Sequence, residues 1–265
     1  MDDAGAEEMP RHPPSTGPLV LVGVVLLSLS PFVPLPNYWF MVFGLATLTG
    51  VSMALRAGPA AHLGLLGTLT LAISAVPQLH GTWPSQLVIA IVVYLLIARF
   101  TPLRDGLSWI RVGSIDRTSV LLGLAFVLMS STALVLWTWI FEPDLSGPLS
   151  RVAGLHPALL LLGGLAFATV NALAEEVLWR GVMMEGLQAA IGPVAIVLGI
   201  QALSFGLMHI RGFPSGWVGV GLAAIYGLMM GLIRTRSDGL LVPWLTHVFA
   251  DATIFAIVVV IATSA

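Results

Sequence analysis

Two things are scarce in this chain of 265 residues: cysteine, of which there is none, and charge, which only 9% of its positions carry. Without cysteine there is no disulfide, no thiolate nucleophile and no cysteine-ligated metal. A soluble globular chain is about 25% charged and about 45–50% apolar. Here 57% of the residues are hydrophobic, and the mean hydropathy is +0.98. Eleven basic and thirteen acidic side chains cannot solvate a globule of this length. A soluble enzyme, a nucleic-acid binder and a disordered chain are excluded together, which leaves a polytopic membrane protein. Lysine is missing as well, so every basic residue is an arginine. The formal net charge of −2 says little about partners, because in a membrane the placement of charge matters more than its sum.

What the chain has in abundance is long apolar runs. They lie near 19–35, 38–55, 60–79, 83–98, 119–141, 157–188, 194–210, 216–233 and 240–262, nine in all, each read as long enough to cross a ~30 Å hydrocarbon core. The first is interrupted by Pro31, Pro34 and Pro36. No water is present in hydrocarbon to satisfy the backbone, so such runs must be helices. The alternating ~10-residue segments of a membrane barrel are absent. The expected fold is all-α, a polytopic transmembrane bundle of eight to nine helices.

Three regions follow from the pattern. Residues 1–17, with four acids and three prolines, read as a disordered cytoplasmic tail, and their acidic start is not that of a signal peptide. Residues 18–118 hold the N-terminal helices and a polar connection from Arg99 to Thr118, in which Trp109 and Ile110 suggest contact with the membrane interface. Residues 119–265 carry the chemistry. With nine passes, Arg11, Arg56, Arg99, Arg104, Arg111, Arg117, Arg234 and Arg236 share one side, against Arg151 and Arg211 on the other. Eight against two puts the N-terminus in the cytoplasm of a multi-pass protein of the cell membrane.

Ionisable groups inside apolar segments cost at least ~2.5–3.5 kcal/mol each and are functional candidates by default. Three sets occur. Glu175, Glu176 and Arg180 follow Asn171 deep in the 157–188 run. Glu176 and Arg180, four apart, share a helix face and can pair. Glu175 is rotated ~100° and must look elsewhere. His209 ends Phe205-Gly-Leu-Met-His209, and His247 stands four residues before Asp251. Taken alone, His209 reads more naturally as a packing group, but unpaired charges in lipid converge, and three such sets on neighbouring helices favour a site. Glu185 reads as an interface residue at a helix end. His62, His80 and His156 lie at segment ends or in short loops. Gly216, Gly219, Gly221, Gly227 and Gly231 suit close helix packing better than a phosphate cradle.

This set activates water rather than a serine or cysteine nucleophile. A carboxylate withdrawn from bulk water serves as a general base, a histidine shares the water and protonates the leaving amine, and a second histidine donates to the oxyanion. Hydrolysis of an acyl bond is the natural inference. Zinc held by Glu and His side chains is the rival reading, weakened by the lack of a HExxH motif and by ligands spread over three helices. A proton-coupled transporter using buried Glu and His, or a non-catalytic scaffold, would use the same residues differently.

In that order Glu175-Glu176-x-x-x-Arg180, Phe205-x-x-x-His209 and His247-x-x-x-Asp251 resemble the three motifs of the CPBP family of intramembrane proteases, also called the Abi or CAAX-protease family. The family includes the Ras-converting CAAX endopeptidase and a sorting branch, the myxosortases. The resemblance covers roughly residues 120–262, and residues 1–118 match no motif. It implies a glutamic-type endopeptidase acting near the C-terminus of a membrane-embedded or lipidated protein, without a cofactor. By the same resemblance Glu175 and His209 would activate water, Glu176 and Arg180 would brace the first motif, and His247 with Asp251 would form the oxyanion site. The prenyl-protease branch usually has Asn where this chain has Asp251. An ionised Asp cannot donate, so either Asp251 is protonated or it orients His247 so that the imidazole donates, and the second is the expectation. Counted along ideal helices, His209 falls late and His247 early in passes that run the same way. The two are therefore expected at different depths unless the 194–210 pass is tilted or broken.

Overall fold

The computed structural model describes residues 16–34, 37–79 and 82–264. The tail expected over 1–17, apart from its last two residues, lies outside them, as do Pro36 and His80. The apolar runs are helical: α1 (Gly17–Leu29), α2 (Tyr38–Ala54), α3 (Gly58–Ser74), α4 (Ser85–Arg99), α5 (Arg117–Phe141), a short α6 (Ser146–Val152), α7 (Pro157–Glu176), α8 (Met184–Ile191), α9 (Val194–Met208), α10 (Gly216–Ser237) and α11 (Leu241–Ser264). No strand occurs among the described residues. Pro18, Pro59 and Pro157 each stand in a first helical turn, where the N–H that proline lacks has no intrahelical partner anyway. Asp116 caps α5, its carboxylate accepting from the Thr118 and Ser119 amides at 2.9 and 3.1 Å.

The chain is a multi-pass helical membrane bundle, as its runs predict, but the passes are of two kinds. Five are long and apolar enough to span: Arg117–Phe141, Pro157–Ile191, Val194–Arg211, Gly216–Ser237 and Leu241–Thr263. The four before them, Gly17–Phe32, Tyr38–Ala54, Gly58–Ser74 and Ser85–Arg99, are shorter. At 1.5 Å per residue they reach about 23–26 Å, less than the hydrocarbon thickness that the sequence reading assigned to every run. Large side chains such as Leu124, Leu128, Leu161, Leu162 and Trp139 face outward, as a lipid-contacting surface requires.

Contacts fix which segments share an end. Gly17 lies against the Ala190 carbonyl, Pro59 against Gly186, and Gly106 against His62. Ser108 donates to Glu185 at 2.8 Å, Arg111 pairs with Asp238 at 2.7 Å, and Arg236 pairs with Asp116 at 3.5 Å. These segments carry most of the arginines and form one face of the bundle. Trp217 stacks on Phe32 and Trp137 meets Phe213 edge-on at the opposite face.

The N-terminal helices are not a separate body. Leu27, Leu45, Leu63 and Leu87 share one core with Leu178, Met183, Val197 and Phe205. Trp109, expected at the membrane interface, is instead buried against Gly181, while Ile110 beside it is exposed. His62 is a packing residue bonded to Tyr94 at 2.7 Å, and His156 caps α7 by accepting from the Ala158 amide at 3.2 Å.

The glycine-rich α10 packs closely on α9, but not through all five of its glycines. Methyl groups at Gly227 and Gly231 would crowd Ala202 and Phe205, and Leu198 and Gln201, respectively. Gly219 lies under the Pro214 carbonyl, whereas Gly221 faces open space and Gly216 supplies a positive φ of 72° at the helix start. On α9, a Cβ at Gly206 would stand 2.6 Å from the Val220 carbonyl and 2.8 Å from the Ala224 Cβ. Gly206→Val should therefore push the two helices apart and destabilise the fold by about 1–3 kcal/mol. Thermal unfolding in detergent reads this directly, and an unchanged midpoint would contradict the close crossing.

Candidate active site

The site is built around a buried charge. Arg180 lies in a π-helical segment, Val177–Met183, that joins α7 to α8 and widens the turn just after Glu176. Its guanidinium is fully buried and pairs with Glu176 Oε1 at 3.1 Å. It also donates to the Gly227 carbonyl at 3.3 Å and lies over the Phe205 ring at 4.5 Å. Gln201 donates to the same carbonyl at 2.8 Å. Arg234 Nε donates to the Arg180 carbonyl at 3.2 Å.

Glu176 has a second partner: the same Oε1 that pairs with Arg180 lies 2.8 Å from His247 Nδ1. A carboxylate held by a guanidinium can only accept, so Nδ1 is the donor. The shortest contact that orients His247 therefore comes from Glu176, with Asp251 farther off on the other ring nitrogen. Asp251 Oδ1 is 3.7 Å from the opposite ring nitrogen, Nε2, and Glu175 Oε2 is 3.6 Å from it. With a proton also on Nε2 the ring is a cation set among three carboxylates.

Glu175 looks away from Arg180, as its rotation on the helix requires. Asn171, one turn earlier on the same face, donates its amide to Asp251 Oδ2 at 2.9 Å and to Glu175 Oε1 at 3.3 Å. Its carbonyl accepts from Trp83 Nε1 at 2.7 Å. Glu175 Oε2 is buried and has no hydrogen-bond partner among the described residues.

His209 is the residue on which α9 gives way to a short 3-10 turn, His209–Arg211. Its Nδ1 lies 2.8 Å from the Phe205 carbonyl. A carbonyl accepts only, so Nδ1 carries the hydrogen and the neutral ring keeps its lone pair on Nε2. One aromatic ring meets both histidines: the Phe205 centroid is 4.5 Å from that of His209 and 6.1 Å from that of His247.

Glu175, His209, His247 and Asp251 line one cavity of about 880 Å³, while Glu176 and Arg180 lie behind it. The structure adds Asn171, Trp83, Phe205 and Tyr226 to the six residues singled out by their charge. Asn171 was readable, standing four residues before Glu175. Tyr226, whose buried hydroxyl has no hydrogen-bond partner among the described residues, meets the His247 ring edge-on at 5.2 Å. Nothing in the sequence ties Trp83 to this place. Among the described residues no three His, Asp or Glu side chains are gathered closely enough to hold a metal ion.

Arg180 and Glu176 stabilise each other only as a pair. Glu176→Ala should destabilise the protein by about 3–5 kcal/mol, because it leaves a guanidinium without its counter-charge in a dry interior. Glu176→Gln combined with Arg180→Met should recover most of that loss. Thermal unfolding of the three proteins in detergent measures this, and a single mutant as stable as the wild type would mean that the charge is compensated elsewhere.

Residues 157–253 match the family described as Rce1-like, Type II CAAX prenyl endopeptidase Rce1-like. The matched stretch runs from the start of α7 into α11 and contains all six charged candidates. No curated protein and no solved structure matches the chain. This match, laid over the three ordered motifs, supports the CPBP, or CAAX-protease, family, and five helices long and apolar enough to span fit a multi-pass membrane protein.

Proposed function

We propose that the chain is a glutamic-type intramembrane endopeptidase that cleaves a peptide bond near the C-terminus of a membrane-embedded or lipidated substrate, with Glu175 and His209 activating water. The observation that carries this reading is the division of labour between adjacent carboxylates. Glu176 is committed to Arg180 and His247, while Glu175 presents beside the cavity a buried oxygen with no hydrogen-bond partner among the described residues.

In this mechanism water binds between Glu175 Oε2 and His209 Nε2. Its oxygen attacks the scissile carbonyl carbon as its proton passes to Glu175. Protonating Glu175 removes one of the two anions facing His247 Nε2, which frees that N–H to bond the new oxyanion. Glu176 holds the ring in place through Nδ1, and the Tyr226 hydroxyl stands ready as a second donor. The proton held by Glu175 then moves to the amide nitrogen, directly or through His209. The C–N bond breaks, releasing a carboxylic acid and an amine. Every proton is accounted for without a cofactor. Asn171 spaces Glu175 from Asp251, which limits the repulsion between two carboxylates that share a histidine.

Hydrolysis of a panel of C-terminal tail peptides and lipopeptides by detergent-purified protein tests this. Glu175→Gln and His209→Ala should each lower the rate by roughly 10²–10⁴, and a chelator should leave the wild-type rate unchanged. Activity lost on chelation and restored by zinc would replace this mechanism with a metal-dependent one. Equal cleavage by wild type and both variants would remove these residues from the chemistry.

Trp83 gives a milder test of positioning. Trp83→Phe keeps the bulk and deletes the N–H on the Asn171 carbonyl, a loss of about 1 kcal/mol. The expected result is a kcat several-fold lower with KM little changed. A rise in KM alone would mean that the indole contacts substrate instead.

A further inference from the structure

The arginine asymmetry and the cavity, read together, say which side of the membrane this enzyme serves. Among the described residues, Arg56, Arg99, Arg104, Arg111, Arg117, Arg234 and Arg236 lie in segments at one face of the bundle. Basic residues in short loops mark the cytoplasmic side. The cavity does not open there. Its wall comes from the other end: Pro31, Val33 and Tyr38 around the α1–α2 turn, Trp83 before α4, and Arg211 to Pro214 after α9.

The route to the arginine-rich face is blocked below the site. Leu178, Arg180, Met183, Met230 and Ile233 are completely buried, and Trp109 seals against Gly181. Arg234 closes the layer by donating to the Arg180 carbonyl. His247 stands only six residues into α11, about 9 Å from the arginine-rich end by helical rise. His247 thus stands near the arginine-rich end, while the cavity it lines is walled from the opposite end.

A second observation points the same way. Arg151 and Arg211 are the two arginines that break the asymmetry, and both line the cavity. The rest of its wall is largely apolar, including Leu71, Met129, Phe167 and Ile254. A guanidinium such as that of Arg211 in the wall of a largely apolar cavity suits a hydrophobic segment that carries a carboxylate.

We infer that the cavity opens on the non-cytoplasmic face, and that its substrate is presented there with an anionic group held at Arg211. The substrate half of this inference rests on the proteolytic reading. The sidedness does not.

The absence of native cysteine makes the test direct. Single cysteines are placed at Gly147 and Gly58, where an added Cβ meets nothing within 4 Å, and at Val33 in the cavity wall. The full chain is expressed in a bacterial inner membrane and treated with a membrane-impermeant thiol reagent. Gly147→Cys and Val33→Cys should react in intact cells with a permeable outer envelope, and Gly58→Cys only after the inner membrane is opened. The reverse pattern, or reaction at all three positions in intact cells, overturns the assignment.

Occupancy is then read without cleavage. An apolar peptide with a free C-terminal carboxylate should slow labelling of Val33→Cys more than its C-terminal amide does. Arg211→Gln should abolish that difference, and equal protection by acid and amide would refute the anionic contact. These readouts do not need turnover. A correct pattern of labelling and protection in a protein that cleaves nothing would refute the peptidase chemistry and leave the sidedness standing.

Discussion

A cation in the middle of a membrane bundle must be neutralised where it stands, and the compensation of Arg180 sets the arrangement of everything around it. A lysine could offer one point charge on a flexible stem. The guanidinium fork can satisfy several acceptors at once. Here it meets a carboxylate, a backbone carbonyl and an aromatic face. Each contact places a demand on a different helix. The carboxylate must be four residues away in α7, the carbonyl of Gly227 must come close enough to accept, and Phe205 must lie flat beneath the charge. Gly227 and Gly231 answer the second demand, since side chains there would strike α9. Helix crossing and charge compensation are thus one constraint.

From that constraint comes the asymmetry between two adjacent glutamates. They have the same chemistry and neighbouring positions, but a rotation of ~100° sends one to the arginine and the other to the cavity. Glu176 then hands its orientation on to His247, so a structural ion pair becomes the anchor of a candidate oxyanion donor. Phe205 does similar work among the aromatics, touching Arg180, His209 and His247 at once. Its place in the motif therefore has a packing cause.

The helical class, the nine apolar runs and the convergence of three charged sets were legible because membranes punish misplaced charge and unsatisfied backbone so heavily. The pairing of Glu176 with Arg180 followed from helical spacing alone. The partner of His247 did not. Asp251 is its neighbour along the helix, yet the short contact comes from Glu176, seventy-one residues earlier. Local periodicity ranks neighbours on one helix and is silent about those across an interface. Trp109 and Trp83 show the same limit. An indole near a segment end reads as a membrane-interface anchor, but one of these packs on a glycine and the other bonds an asparagine inside the site.

The Trp83 contact also explains why helices without any recognisable motif belong to the working unit. The matched region supplies the buried carboxylates, the two histidines and Arg180, whereas Tyr38, Leu71 and Trp83 supply wall to the same cavity. Ser28 in α1 bonds Ser204 in α9 at 2.8 Å, and Ser204 in turn accepts from Trp179 at 3.4 Å. The first half of the chain is thereby fastened to the segment that bears Arg180. Chemistry and selectivity are drawn from different parts of the sequence but share one core. The charged residues are held to fixed geometry by the cost of burying them, whereas the apolar wall is under no such constraint.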